Sequence, residues 1–360
     1  MNRRDVLQAS AMAVSAGIIG GTAAGKAAAD DKAEAAQHTQ SGMTLTPLED
    51  SNPLEAKIVV FTTVSPDVDA SIRFYRDVIG MTLADEGELR SDETTAPGIG
   101  RNRRRYAILH MPGSDRSAQV RVLQAPGGAA PNRPRPDSGP MDPGLLVMEG
   151  VTRDPAESYH RLASANTPVI TPPRYYYFRN TTWRRDVDVM SYAPFGPGGE
   201  QMFITANIRS DREEWPFPGL HSGFANAAIT SLDQRPVDAF YEQALGLRRT
   251  SQMECFQRNT NQLIGAPHDS YFLWGNVGAG VSIEVWEFKA ASGTLYPTSL
   301  DRTGLAMLTM RVSDPARVRE MCEANGIEPV GEGALPMPGN PEPEGFTLRG
   351  AVGELIEVIA

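Results

Sequence analysis

One eight-residue pattern occurs twice, and it constrains the architecture more than any other feature. Phe74-Tyr75-Arg76-Asp77-Val78-Ile79-Gly80-Met81 returns as Phe240-Tyr241-Glu242-Gln243-Ala244-Leu245-Gly246-Leu247, 166 positions later. A second, shorter repeat interleaves with it: Asp154-Pro155-Ala156 returns as Asp314-Pro315-Ala316, 160 positions later. The order is therefore A-B-A′-B′, with units of roughly eighty residues. A chain of 360 residues divided in this way makes about two domains and can bury a sizeable core.

Each unit opens with a β-like run: Ile58 to Val64, Leu145 to Val151, Ala225 to Leu232 and Ala306 to Val312. A helix follows each run. In the first, Val68, Ile72, Tyr75 and Ile79 share one face; Ser65 before Pro66 offers an N-cap, and Gly80 a stop. In the second, Asp154 caps, Pro155 takes the first helical position and Glu157 completes a capping-box-like start. Gly246 and Gly326 stop the third and fourth. Three strand-like runs close each unit, ending in 119–124, 201–205, 281–288 and 355–359. The unit is β-α-β-β-β and the fold class α+β. The Pro- and Gly-rich stretch 125–144 joins units one and two, and 207–222 reads as the linker between domains.

The N-terminus reads as an export signal. Arg3-Arg4-Asp5-Val6-Leu7 has the twin-arginine pattern, an Ala/Gly-rich stretch follows, and Ala27-Ala28-Ala29 offers a cleavage site. Removing residues 1–29 takes away Arg3, Arg4, Lys26 and Asp5, moving the formal charge from −10 to −12. Residues 30–54 then form a polar, flexible leader. The expected location is the periplasm, reached through the twin-arginine translocation machinery, with no stable membrane span afterwards. An acidic chain of this kind is not a nucleic-acid binder. The two cysteines, Cys255 and Cys322, sit in contexts that suggest separately buried thiols. No phosphate loop, dinucleotide fingerprint or Gly-x-Ser-x-Gly elbow is present, so no nucleotide cofactor is expected.

Four such units resemble the vicinal oxygen chelate superfamily of glyoxalases, fosfomycin-resistance proteins and extradiol dioxygenases. The likeness rests on Asp67-Val68-Asp69-Ala70-Ser71-Ile72-Arg73-Phe74-Tyr75, on the Phe-Tyr repeat and on the ending Gly353-Glu354-Leu355-Ile356-Glu357-Val358-Ile359. It implies paired modules forming two cup-shaped mixed sheets with helices outside. Pairing in chain order gives a first domain at residues 55–206 and a second at 223–360. The resemblance also implies metal ligands in the first strand of each module, seven residues before the Asp that precedes the helix, and in the last strand. For the second domain these positions hold Asn226, Met307, Glu284 and Glu357. For the first they hold Val60, a residue near Leu146 or Val147, Arg121 and Phe203, which is no ligand set.

Both imidazoles that a ring-cleaving dioxygenase needs are replaced, by Asn226 and Met307, so that chemistry is disfavoured. Glu284, Glu357 and Asn226 would suit one hard divalent cation such as Mg, Mn or Ca. Without metal, Glu357 first and Glu284 second are the candidate general bases, because a carboxylate in an apolar cup has a raised pKa. Met307, Arg121, Phe203, Trp286 and Tyr176 are the candidate substrate contacts. The aromatic clusters Tyr175-Tyr176-Tyr177-Phe178, Trp183 and Tyr192, and Tyr271-Phe272, Trp274 and Trp286, suit a flat apolar ligand. Arg101-Asn102-Arg103-Arg104-Arg105 is a basic run that either faces solvent or attracts a carboxylated substrate. None of His38, His110, His160, His221 and His268 has ligand spacing.

The reading is an exported enzyme, a lyase or isomerase, moving a proton on a small aromatic or carbonyl-bearing substrate. A metal-free protein that sequesters a hydrophobic or toxic compound is the alternative, and a scaffold subunit is a third. A homodimer stays open.

Overall fold

The computed structural model describes residues 46–89, 94–100, 103–134, 139–178, 187–208, 217–256, 258–281, 283–288 and 293–360. The export signal, most of the leader, Arg101, Asn102, Trp183 and the middle of the 207–222 linker lie outside them.

All four modules form. Module one holds β1 (Lys57–Ser65), α1 (Val68–Arg73) with a π-helical continuation Phe74–Ile79, β2 (Thr82–Leu89), β3 (Arg104–His110) and β4 (Gln119–Gln124). Module two holds β5 (Gly144–Thr152), α2 (Pro155–Ser164), β6 (Arg174–Phe178), β7 (Val187–Tyr192) and β8 (Met202–Asn207). Module three holds β9 (His221–Ser231), α3 (Gln234–Leu245), β10 (Arg249–Cys255), an inserted α4 (Arg258–Ile264), β11 (Phe272–Val277) and β12 (Ile283–Phe288). Module four holds β13 (Gly304–Arg311), α5 (Pro315–Ala324), β14 (Gly331–Glu332), β15 (Gly345–Arg349) and β16 (Leu355–Ile359). The insertion α4 departs from the plain unit, and β9 begins inside the expected linker.

The main helix of every module starts in the same way. Asp67, Asp154, Asp233 and Asp314 each accept a hydrogen bond from a backbone N–H of the first turn. Asp67, not Ser65, is therefore the first cap. An Asp carboxylate there satisfies orphan amides and faces the positive end of the helix dipole. Gly80 and Gly246 end their helices at φ 93° and 69°, a left-handed conformation that any Cβ would strain.

The modules pair crosswise, which corrects the chain-order pairing. One eight-stranded sheet runs β14-β15-β16-β13-β1-β4-β3-β2, uniting modules one and four. The other runs β10-β11-β12-β9-β5-β8-β7-β6, uniting modules two and three. The seams are antiparallel: β1 lies on β13, and β5 on β9. Neither 55–206 nor 223–360 is thus a cup by itself. Every module presents the same free edge, its first strand, so hydrogen bonding alone permits either pairing. Each curled mixed sheet makes one cup, here called the outer cup (modules one and four) and the inner cup (modules two and three).

Two buried Tyr–Glu pairs tie the cups together. The Tyr75 hydroxyl donates to Glu200 Oε1 at 2.6 Å, and Tyr241 to Glu354 Oε1 at 3.0 Å. Each joins a module of one cup to its chain neighbour in the other, so the Phe-Tyr repeat that revealed the modules also locks them. A glycine four residues earlier leaves room: a Cβ on Gly196 or Gly350 would lie 2.0 Å from the carboxylate.

Burial pushes Glu200 and Glu354 up to about 7. A carboxyl raised on folding binds its proton more tightly in the native state. Its contribution is full at low pH and is lost as pH rises from about 4.5 through 7, up to ~3 kcal/mol each. His221 acts in the opposite sense. It is buried between Ser158 Oγ and the Ile79 carbonyl, and burial pushes it down to about 4. Its share is full above 6.5 and is lost as pH falls towards 4. These two carboxyls, together with Glu149 and Glu284 of the inner cup, which burial also raises, outweigh the one imidazole, so unfolding free energy should fall between pH 5.5 and 7.5. Urea titrations across that range should show a flatter profile for Glu200→Gln/Glu354→Gln, with Glu149 and Glu284 setting the slope that remains.

Candidate active site

The two cups differ in what fills them. At the base of the outer cup, Arg121 Nη2 donates to Glu357 Oε2 at 2.6 Å and to Thr309 Oγ1 at 2.7 Å. Arg121 Nε donates to Thr62 Oγ1 at 3.1 Å. Glu357 also accepts from the Thr309 hydroxyl at 2.7 Å and, on Oε1, from the Leu335 amide at 2.6 Å. Arg121 and Glu357 are 1% and 0% exposed, and both carboxylate oxygens are engaged. An apolar cluster including Leu89, Ile99, Tyr106, Ile108, Leu300, Met307 and Leu335 packs over the pair. Glu357, Arg121 and Met307 are therefore parts of a closed ion-paired core. The proposed ligand set of Glu284, Glu357 and Asn226 is divided between cups.

The inner cup gathers the other named residues. Glu284 of β12 is buried, and its Oε2 accepts from Trp274 Nε1 at 2.6 Å and Trp286 Nε1 at 3.1 Å. Phe203 of β8 meets Trp286 edge-on, with ring centroids 5.9 Å apart. Tyr176 of β6 reaches across to Ser191 Oγ at 3.1 Å, and Ser191 contacts Thr205 Oγ1 at 2.8 Å. Its neighbours Tyr175 and Tyr177 point the other way and are exposed, as strand alternation requires.

One residue was missed. Glu149 of β5 lies opposite Asn226 of β9 and beside Phe203 of β8, and the Asn226 side chain hydrogen-bonds it. It stands five residues before Asp154, whereas a count of seven gives Val147. Register shifts in β5 at Leu145/Val147 and Glu149/Gly150 displace the spacing. The available signal was an acid inside the apolar run Leu145–Val151.

Burial pushes Glu149 well above the usual carboxylate range, and the charge of Glu284 pushes it further, against the Asn226 hydrogen bond. Burial also raises Glu284, while the two indole N–H groups pull it back. The proton of such a pair belongs to both groups, but it rests on Glu149, because the indole donors favour the charged form of Glu284. Burial raises the Tyr176 phenol, as do both carboxylates, which keeps it a hydrogen-bond donor. Glu149, Asn226 and Tyr176 are half-buried.

The donor set does not suit a metal. Among the described residues, no three His, Cys, Asp or Glu side chains stand together in a way that could hold one. Glu284 Oε2 is already taken by two N–H donors, and Asn226 is engaged with Glu149. The histidines stay apart: His160 and His268 are exposed, His110 is half-buried and His221 lies in its own buried cluster. Cys255 and Cys322 are free and buried.

Residues 57–199 match the sequence model of the Glyoxalase/Bleomycin resistance protein/Dioxygenase superfamily. No curated protein matches in sequence. Among solved structures, the chain is similar to glyoxalase I from Zea mays, with TM-score 0.54 and 13% identity over 85% of this chain and 92% of that one. It is also similar to a putative dioxygenase from Bacillus subtilis, with TM-score 0.51 and 15% identity over 84% of each. At these identities the likeness is one of fold, and it extends over all four modules. No helix among the described residues is long and apolar enough to cross a membrane.

Proposed function

We propose that the inner cup is the active site of an enzyme that moves a proton on a small aromatic or carbonyl-bearing molecule, as an isomerase or lyase does. The observation that carries this is the carboxyl pair of half-buried Glu149 and buried Glu284 with its unequal donors. Glu284, charged, removes the proton next to the carbonyl. Glu149, neutral, delivers its own to the developing enolate oxygen, with the Tyr176 hydroxyl as a second donor. Reversal of the two transfers at a neighbouring carbon gives isomerisation and restores both groups. Trp274, Trp286 and Phe203 offer flat apolar surface for the rest of the ligand. A divalent metal, common in the superfamily, has no role in these steps.

The test is proton exchange. A panel of aryl ketones and α-keto acids in D₂O, followed by NMR, should reveal a compound whose α-hydrogen the protein exchanges. Saturable quenching of tryptophan fluorescence by such compounds, with no exchange of any of them, would instead establish the sequestering protein.

The same reading takes the enzyme to be exported through the twin-arginine pathway. Arg3→Lys/Arg4→Lys should then leave the protein in the cytoplasmic fraction with residues 1–29 still attached. Unchanged processing would refute export by this route.

A further inference from the structure

The repeat that defines the modules also exposes a difference between the two halves of the chain. In the second half, α3 and α5 pack against each other. The Asn325 carboxamide donates to the Gln243 carbonyl at 3.3 Å, and Cys322 Sγ lies 4.0 Å from the Ala244 carbonyl. The repeat offsets of 166 and 160 put Asp77 and Val78 at the positions of Gln243 and Ala244, and Ala165 at that of Asn325. In the first half, α1 and α2 make no comparable packing. A groove of about 440 Å³ lies where that contact would be, with Arg73, Phe74, Asp77 and Val78 on one wall and Ala165 and Thr167 on the other.

Two local differences accompany the gap. Ala165 carries a methyl where Asn325 carries a carboxamide that reaches the facing helix. The Phe-Tyr motif is α-helical in α3 but π-helical in module one, over Phe74–Ile79. Such wide turns are rare and recur at functional sites.

The groove combines an apolar floor with one available charge. Phe74 and Val78 are each 8% exposed, and Pro168 and Phe195 line the groove with them, a surface on which a ring can lie. Asp77 is already bonded on both carboxylate oxygens by Arg76, at 2.6 and 2.9 Å. The Arg73 guanidinium is exposed and has no ion pair or hydrogen bond; it acts on Asp77 only through its field. It is therefore free to take a carboxylate through two parallel N–H donors. The volume is that of a small-molecule site, and no wall of it belongs to the Glu149/Glu284 site.

We propose that this groove is a second ligand site, for a small aromatic carboxylate whose ring lies on the apolar floor and whose carboxylate pairs with Arg73. The ligand takes the place that Asn325 fills in the second half of the chain.

Calorimetric titration of the full chain with 1-naphthoate, and with 1-naphthamide as its uncharged counterpart, tests this. Naphthoate should bind saturably and about three- to fivefold more tightly than the amide, the size of one solvent-exposed ion pair. Arg73→Gln should remove that preference and leave amide binding unchanged. Ala165→Trp, at an exposed position, should fill the groove and weaken both ligands at least tenfold. Glu284→Gln should bind both as wild type does. Naphthoate that fails to saturate wild type, or that binds Ala165→Trp as well as wild type, would overturn the site. A loss of binding in Glu284→Gln would place the ligand in the inner cup instead, and a preference that survives in Arg73→Gln would refute the carboxylate. Should Ala165→Trp fail to fold, the wild-type and Arg73→Gln titrations still decide the question.

Discussion

Replacing Arg121 with methionine is expected to cost roughly 3–5 kcal/mol of unfolding free energy, a fall in melting temperature on the order of 10 °C. The cause is not the loss of attraction alone. The substitution leaves the Glu357 carboxylate at 0% exposure facing only Thr309 and the Leu335 amide, a buried charge without its counter-ion. Glu357→Gln should cost less than Arg121→Met, because a neutral amide still bonds Thr309, although it strands the guanidinium. The double variant Arg121→Met/Glu357→Met should recover most of the loss, since the surrounding cluster is apolar and replacing both partners removes both desolvation penalties. Denaturant unfolding of wild type, Arg121→Met, Glu357→Met and the double variant forms a double-mutant cycle. Strictly additive losses would show that the pair is not coupled.

Glu284→Gln should lower kcat by about 10²- to 10⁴-fold on the substrate that the exchange assay finds, with little change in KM. The amide keeps the indole hydrogen bonds and the cup's shape but cannot take a proton. Glu149→Gln should act on the pH profile as well. The alkaline limb, which reports loss of the proton held by the pair, should disappear while the acid limb remains. Glu357→Gln supplies the contrast: turnover per folded molecule should match wild type even though the fold is weaker. Equal losses of kcat in Glu284→Gln and Glu357→Gln would return the chemistry to the outer cup.

That contrast shows how far the chain could be read from its residues. The four modules were legible because each repeats a helix start and an apolar rhythm, and three of the four a glycine stop, all local signals. Glu284, Asn226, Phe203, Trp286 and Tyr176 were named as site residues and do share one concave face. The expectation for Glu357 failed at a long-range step. Its carboxylate looks as unpaired in the sequence as that of Glu284, and only the crosswise seam of β1 with β13 places Arg121 against it. Glu149 was missed for a local reason, because register shifts in β5 break a spacing rule that assumes an unbroken strand.

The crosswise seams also set a timetable for synthesis. The inner cup is complete once Phe288 has left the ribosome, because its strands span only 144–288. The outer cup cannot close until β16, which ends at Ile359, reaches β13, so module one must wait for almost the whole chain. Long-range closures of this kind are slow, and meanwhile the free edge of β1 is exposed to wrong partners. A truncated chain ending after module three should therefore keep a folded inner cup while its first module stays prone to aggregation.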